Sequence, residues 1–161
     1  DFGVGDVIVP KQEKRQIPTQ LDDFSAPTIN TYSLETTIAE KIDAILSLME
    51  FSSRMKDYYD IYYLANKFDF DGATLTEALR KTFKNRGHAF TVEQFEQVMA
   101  FDGEEAMQKK WKAFCRKIDT KTDNYGTVLK TISDFLAKPF SAAISSNNFS
   151  AKWHIDVCLW K

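Results

Sequence analysis

The chain has 161 residues, 43% of them apolar and 14% aromatic, with 21 basic against 23 acidic side chains and a formal net charge of −2 at pH 7. That is enough apolar material for one domain with a sizeable core plus part of another, while the charge balance gives no overall pull towards nucleic acid and leaves only a local basic face open. No apolar run approaches the roughly 18 residues needed to span a bilayer, and Cys115 and Cys158 stand apart with no His or Cys at ligand spacing, which argues against a zinc site and fits reduced thiols in a cytoplasmic setting.

Residues 1 to 32 are rich in Gly, Pro, Asp and Thr, with a strand-like DFGVGDVIVP and a second extended piece at PTINTYS. This start falls in mid-pattern, as expected of a fragment or a proteolysed product. Ser33 then caps a first long helix. At about 100° per residue, Leu34, Ile38, Ile42, Ile45, Leu48 and Met49 form one apolar stripe along it. Lys41 projects into that stripe, beside Leu34, Ile45 and Leu48. Glu35 sits at its edge, readable either as a site residue or as a first-turn acid that favours the helix N-terminus. Glu40, Asp43, Ser47 and Glu50 fall on the opposite, solvated face.

Ser52 or Ser53 caps a second helix whose inward side holds Tyr58, Ile61, Leu64 and Ala65, with Arg54 among them and Asp57 beside Leu64 and Ile61. Lys56, Asp60 and Lys67 face outward, with Lys56 and Asp60 spaced for an i, i+4 pair. Two inward charges on consecutive helices demand an explanation, because an unpartnered charge taken out of water costs several kcal/mol. Lys41 and Asp57 therefore pair with each other or face a polar cleft, and both a structural ion pair and a functional site satisfy that demand.

Further along, Asp69 and Asp71 read as a turn and helix-start signal. Thr74 with Glu77 makes a capping box for a third helix carrying Leu75, Ala78, Leu79 and Phe83 and ended by Gly87. Thr91 with Gln94 repeats the signal for a fourth, with Phe90 placed to staple onto Phe95. A fifth begins near Asp102 and Glu105, and a sixth near Asp123 stops before Pro139. On the fifth, Lys109, Lys110, Lys112, Arg116 and Lys117 surround Met107, Trp111, Phe114 and Ile118. Basic residues among aromatics suit RNA, but the 3-4 spacing of the apolar residues is that of a core face backed by a solvated one. His88 and His154 read as lone surface residues. SAAISSNNFS reads as a connector, after which Trp153, Val157, Leu159 and Trp160 bring the C-terminus back onto the bundle. The expected fold is mainly α: a bundle of about six helices over 33–140, preceded by a short β remnant at 1–32 and followed by a connector and tail at 141–161.

The run Y-S-L-E-T-T-I-A-E-K with the following S-R-M-K-D-Y-Y-D resembles the second half of the AbiEii-type nucleotidyltransferase toxins, within the DNA polymerase β-like superfamily. The family's late motifs match at Glu35, Ala39, Glu40 and Lys41 and at Arg54, Lys56, Asp57 and Asp60, and the likeness covers roughly residues 1 to 66. The resemblance implies transfer of a nucleoside monophosphate from a nucleoside triphosphate to an acceptor, tRNA for some members, with Mg2+ as cofactor and a winged-helix-like antitoxin as partner. It makes Lys41, Asp57 and Asp1 the catalytic candidates, Arg54, Lys56 and Glu35 the nucleotide-binding ones, and Asp1 a metal ligand. The family's Gly-Ser turn and metal-binding D-x-D pair are not matched: no Gly-Ser dipeptide occurs, and the only D-x-D is Asp69 with Asp71. Alone, these residues are expected to be inactive. Two function classes stay open: part of a toxin-type nucleotidyltransferase of an abortive-infection or toxin-antitoxin system, or a non-catalytic helical module that binds a protein or nucleic acid.

Overall fold

A computed structural model describes residues 7–18, 23, 25–51, 53–118 and 122–161. Its mainly α architecture comprises, among the described residues, helices α1 (Leu34–Leu48), α2 (Met55–Ala65), α3 (Gly72–Arg86), α4 (Val92–Met99), α5 (Glu105–Ile118) and α6 (Tyr125–Ile144). The strands are short: β1 (Glu13–Gln16) pairs antiparallel with β2 (Thr28–Thr31), and β3 (Phe70–Asp71), β4 (Lys152–His154) and β5 (Leu159–Trp160) form a separate three-stranded sheet. The expected strand at DFGVGDVIVP lies largely outside the described residues. Its described end is tied to the bundle instead of to a sheet, since the buried Val9 donates its N–H to Thr36 Oγ1 at 2.9 Å.

The caps follow the residue chemistry with two corrections. Ser33 accepts from the Thr36 N–H at 3.1 Å and also donates to the Val9 carbonyl, so one hydroxyl satisfies an orphan helix donor and anchors the preceding chain. Thr91 and Gln94 close the capping box of α4 as expected. The α2 cap is Arg54, with no side-chain bond; Ser53 is exposed, and Ser52 lies outside the described residues. For α3 the cap is Asp71, whose Oδ1 accepts from the Thr74 N–H at 2.8 Å, so the helix starts a turn earlier than the Thr74 and Glu77 pattern indicates. Aspartate outranks threonine as a cap, and an acid there also complements the helix dipole.

The central element is α6, packed against α2, α3 and α4. It runs through Pro139 to Ile144, where the sequence suggested a stop. Proline leaves the carbonyl one turn earlier, at Phe135, without its N–H partner. Trp160 supplies the missing donor, its indole Nε1 lying 2.8 Å from Phe135 O. The tail thus repairs the helix it packs on. Trp153 is fully buried, stacks edge-on to Phe135, and donates to Ala65 O, an orphan carbonyl at the end of α2, at 2.7 Å. Val157 and Leu159, expected to share that docking, are exposed. Phe90 packs on Phe83 instead of Phe95, which stacks on Phe140. In α5, Met107 and Trp111 are buried and Lys109 pairs with Glu105, the arrangement of a core face with a solvated back.

Candidate functional site

On α1 the core face is centred on Ile38, Ile42 and Ile45, all fully buried, whereas Leu48 is 40% exposed. Helical geometry puts Lys41 about 40–100° from those three, at the margin of the stripe and not its middle. That margin faces α2. Lys41 Nζ lies 3.0 Å from Asp57 Oδ1 and 2.6 Å from Asp60 Oδ2, and Asp57 Oδ2 lies 2.5 Å from Arg54 Nε. The two inward charges of the sequence therefore meet. Asp60, expected on the solvated face, keeps its pair with Lys56 at 2.6 Å but also takes Lys41. Residues three apart on a helix are neighbours, so Asp57 and Asp60 reach the same ammonium. Asp57 is 6% exposed and Lys41 19% at the side chain, whereas Arg54 and Lys56 are open.

Burial works against the Lys41 charge, but the hydrogen bonds and charges of Asp60 and Asp57 outweigh it and hold the amine above its ordinary value of 10.5. Its protonated form is the stable one, so its contribution to stability is complete below pH 10.5 and is lost as pH rises through the folded value. Burial likewise pushes the Tyr58 phenol up to about 12 and Tyr125 upward as well. An unfolded tyrosine ionises near pH 10, so the same sign holds for both. The unfolding free energy from urea titration is expected to fall steeply between pH 10 and 12, by about 1.4 kcal/mol per pH unit for each such group, and less steeply in Tyr58→Phe. A midpoint constant from pH 8 to 11.5 would contradict these assignments.

A cavity of about 380 Å3 opens beside this pair. It is lined by Thr37, Glu40, Lys41 and Ala44 of α1, by Arg54 and Asp57 at the start of α2, by Arg86 of α3 and by Tyr32. Lys56 and Glu35 do not line it; Glu35 occupies the first turn of α1. Asp1 falls outside the described residues.

One group the sequence placed wrongly is Asp43. It is 1% exposed, with Oδ2 3.0 Å from Arg86 Nη1 and Oδ1 2.8 Å from His88 Nδ1. His88 is therefore not lone; Ser47 Oγ is 3.3 Å from the same ring nitrogen. The only local signal was the end of α3, where Arg86 precedes Gly87. Gly87, at φ +68°, reverses the chain through a Schellman turn, with Gly87 N bonded to Lys84 O and His88 N to Phe83 O, and so lays His88 back over α1.

Magnesium does not fit the carboxylates described. Asp57 and Asp60 are each engaged by two cations, which a dication would have to displace. Asp69 accepts from Ile155 N–H and Asp71 from Thr74, so the D-x-D pair is spent on the backbone. Among the described residues no three metal-ligating side chains converge. What the arrangement offers is positive charge held rigidly at a cleft, the chemistry that suits phosphate.

Comparison with known proteins adds one match. The family model described as nucleotidyl transferase AbiEii toxin, type IV TA system, matches residues 1–144. No curated protein matches, and no solved structure does.

Proposed function

The chain belongs to the AbiEii nucleotidyltransferase toxin family, and from that premise we propose that it serves the transfer of a nucleoside monophosphate from a nucleoside triphosphate to an acceptor. An acceptor hydroxyl oxygen bonds to the α-phosphorus, the bond from that phosphorus to the bridging oxygen breaks, pyrophosphate leaves, and the hydroxyl proton passes to solvent. Such transfer depends chiefly on positioning and on neutralising phosphate charge. The observation that carries the reading is the Lys41 ammonium, kept charged by Asp57 and Asp60 on a rigid helix pair beside a cavity of about 380 Å3.

In this proposal Lys41 contacts the triphosphate and Arg54 adds a planar donor fork for a phosphate. Asp57 is the positioning residue that fixes Lys41. Lys56 acts at one remove, through Asp60, and Glu35 supports the α1 N-terminus. The divalent metal implied by the family is not assigned to the described carboxylates; Asp1 is its proposed ligand in this sequence, with further ligands beyond those described, and no step above passes through it. A tRNA acceptor, a cognate antitoxin, a role in abortive infection and a cytoplasmic location belong to the same proposal. No helix among the described residues is long and apolar enough to cross a membrane.

The competing reading, a helical module in which Lys41 is merely neutralised, draws on the two carboxylates that already match its charge. A labelled-nucleotide assay on the intact protein, run with each of the four triphosphates and total RNA, separates them. The transferase reading expects label on RNA or protein from at least one triphosphate; no label from any of them favours the module.

A further inference from the structure

Arg86 is the one cation lining the cavity that comes from α3. On α1, steps of about 100° order the lining residues as Lys41, Thr37, Ala44 and Glu40, with Asp43 next beyond them outside the lining, so α1 turns one flank to α2 and the other to the end of α3. Asp57 and Arg54 stand at the first flank and Arg86 at the second.

Asp43 is what holds Arg86 there. A carboxylate 1% exposed is costly to bury, and both of its oxygens are taken, Oδ2 by Arg86 at 3.0 Å and Oδ1 by His88 at 2.8 Å. The turn at Gly87 fixes Arg86 and His88 on one carboxylate. The guanidinium is not used up by these contacts: Nη1 bonds Asp43, and Nη2 makes a long ion pair with Glu40 at 3.7 Å that is not a hydrogen bond, so of its five N–H donors one is committed. A planar fork clamped at one nitrogen, with donors to spare at the edge of a cavity of small-molecule size, is built to meet a phosphate.

We propose that Arg86 binds a phosphate group of the nucleotide from the flank opposite Arg54, and that Asp43 and His88 are positioning residues that aim it. This rests on the nucleotidyltransferase reading and adds a third cation to its site. Arg54 at the start of α2 and Arg86 at the end of α3 flank the cavity, with Lys41 of α1 between them, so the triphosphate is gripped between α2 and α3 across α1.

Calorimetric titration of the intact protein with inorganic triphosphate, and then with each nucleoside triphosphate, tests this. Arg86→Gln is expected to weaken triphosphate binding by about tenfold or more, the loss of one charge-assisted pair, and Arg86→Lys by less. Asp43→Asn is expected to weaken binding in the wild-type background and to have no further effect on top of Arg86→Gln, an interdependence that a role in stability alone would not produce. If Arg86→Gln loses its native circular dichroism, Arg86→Lys carries the test, and unchanged affinity there overturns the proposal. Wild-type binding that falls in Lys41→Met but not in either Arg86 variant removes Arg86 alone. Absence of any triphosphate binding by the wild type removes the nucleotide reading with it.

Discussion

Asp57→Ala is expected to reduce nucleotide transfer by the intact protein at least about a hundredfold, while leaving far-UV circular dichroism native. The carboxylate is 6% exposed and touches both Lys41 and Arg54. Removing one member of a fully buried pair costs about 3–5 kcal/mol because it strands the other charge. Here Lys41 keeps Asp60 at 2.6 Å and is partly exposed, and Arg54 is open to water. The stability cost is therefore set nearer about 1–3 kcal/mol, within what a domain of this size tolerates. Activity is hit harder, since Lys41 is left with one anchor and swings towards Asp60, and a displacement of about 1 Å at a phosphate contact is enough to cost a hundredfold. Urea titration and the labelled-nucleotide assay measure the two effects separately. Equal, modest losses in both would assign Asp57 a role in stability alone.

Trp153→Ala should be the most destabilising single change considered, at about 3–5 kcal/mol by urea denaturation. The indole is fully buried, packs on Phe135 and Trp160, and gives its N–H to Ala65 O. Truncation leaves a large cavity and an orphan carbonyl at the end of α2. Trp153 lies beyond residues 1–144, which the family model matches. A loss under about 1 kcal/mol would mean that the tail rests on the bundle without stabilising it. Because α2 carries Asp57 and Arg54, a weakened tail is also expected to lower transfer, in proportion to the fraction unfolded.

The Lys41–Asp57 meeting was legible because each residue breaks the apolar periodicity of its own helix, and a local rule detects a local exception. The starts of α1 and α4 were legible for the same reason, as Ser33, Thr91 and Gln94 bond within one turn. Asp43 was not, because periodicity identifies the face towards the core but not the flanks covered by other helices. That α3 ends in Arg86-Gly87-His88 is plain in the chain; that this end lies on α1 depends on tertiary packing. The three-stranded sheet was missed because strands of two or three residues carry no alternation, and Phe70–Asp71 meets partners about 80 residues away. Pro139 misled as a helix stop, since the rule counts the lost hydrogen bond and cannot foresee that Trp160 replaces it.

In the proposed transferase, Lys41 is held between Asp57 and Asp60 and meets a phosphate. Lys41→Met keeps the aliphatic stem and removes only the charge. Asp57 still has Arg54 and Asp60 still has Lys56. Transfer of labelled nucleotide by this variant, set beside its urea midpoint, separates a phosphate contact from a structural ion pair. Transfer at background, with stability within about 1 kcal/mol of wild type, is expected; wild-type transfer by a stably folded Lys41→Met would contradict that role for Lys41.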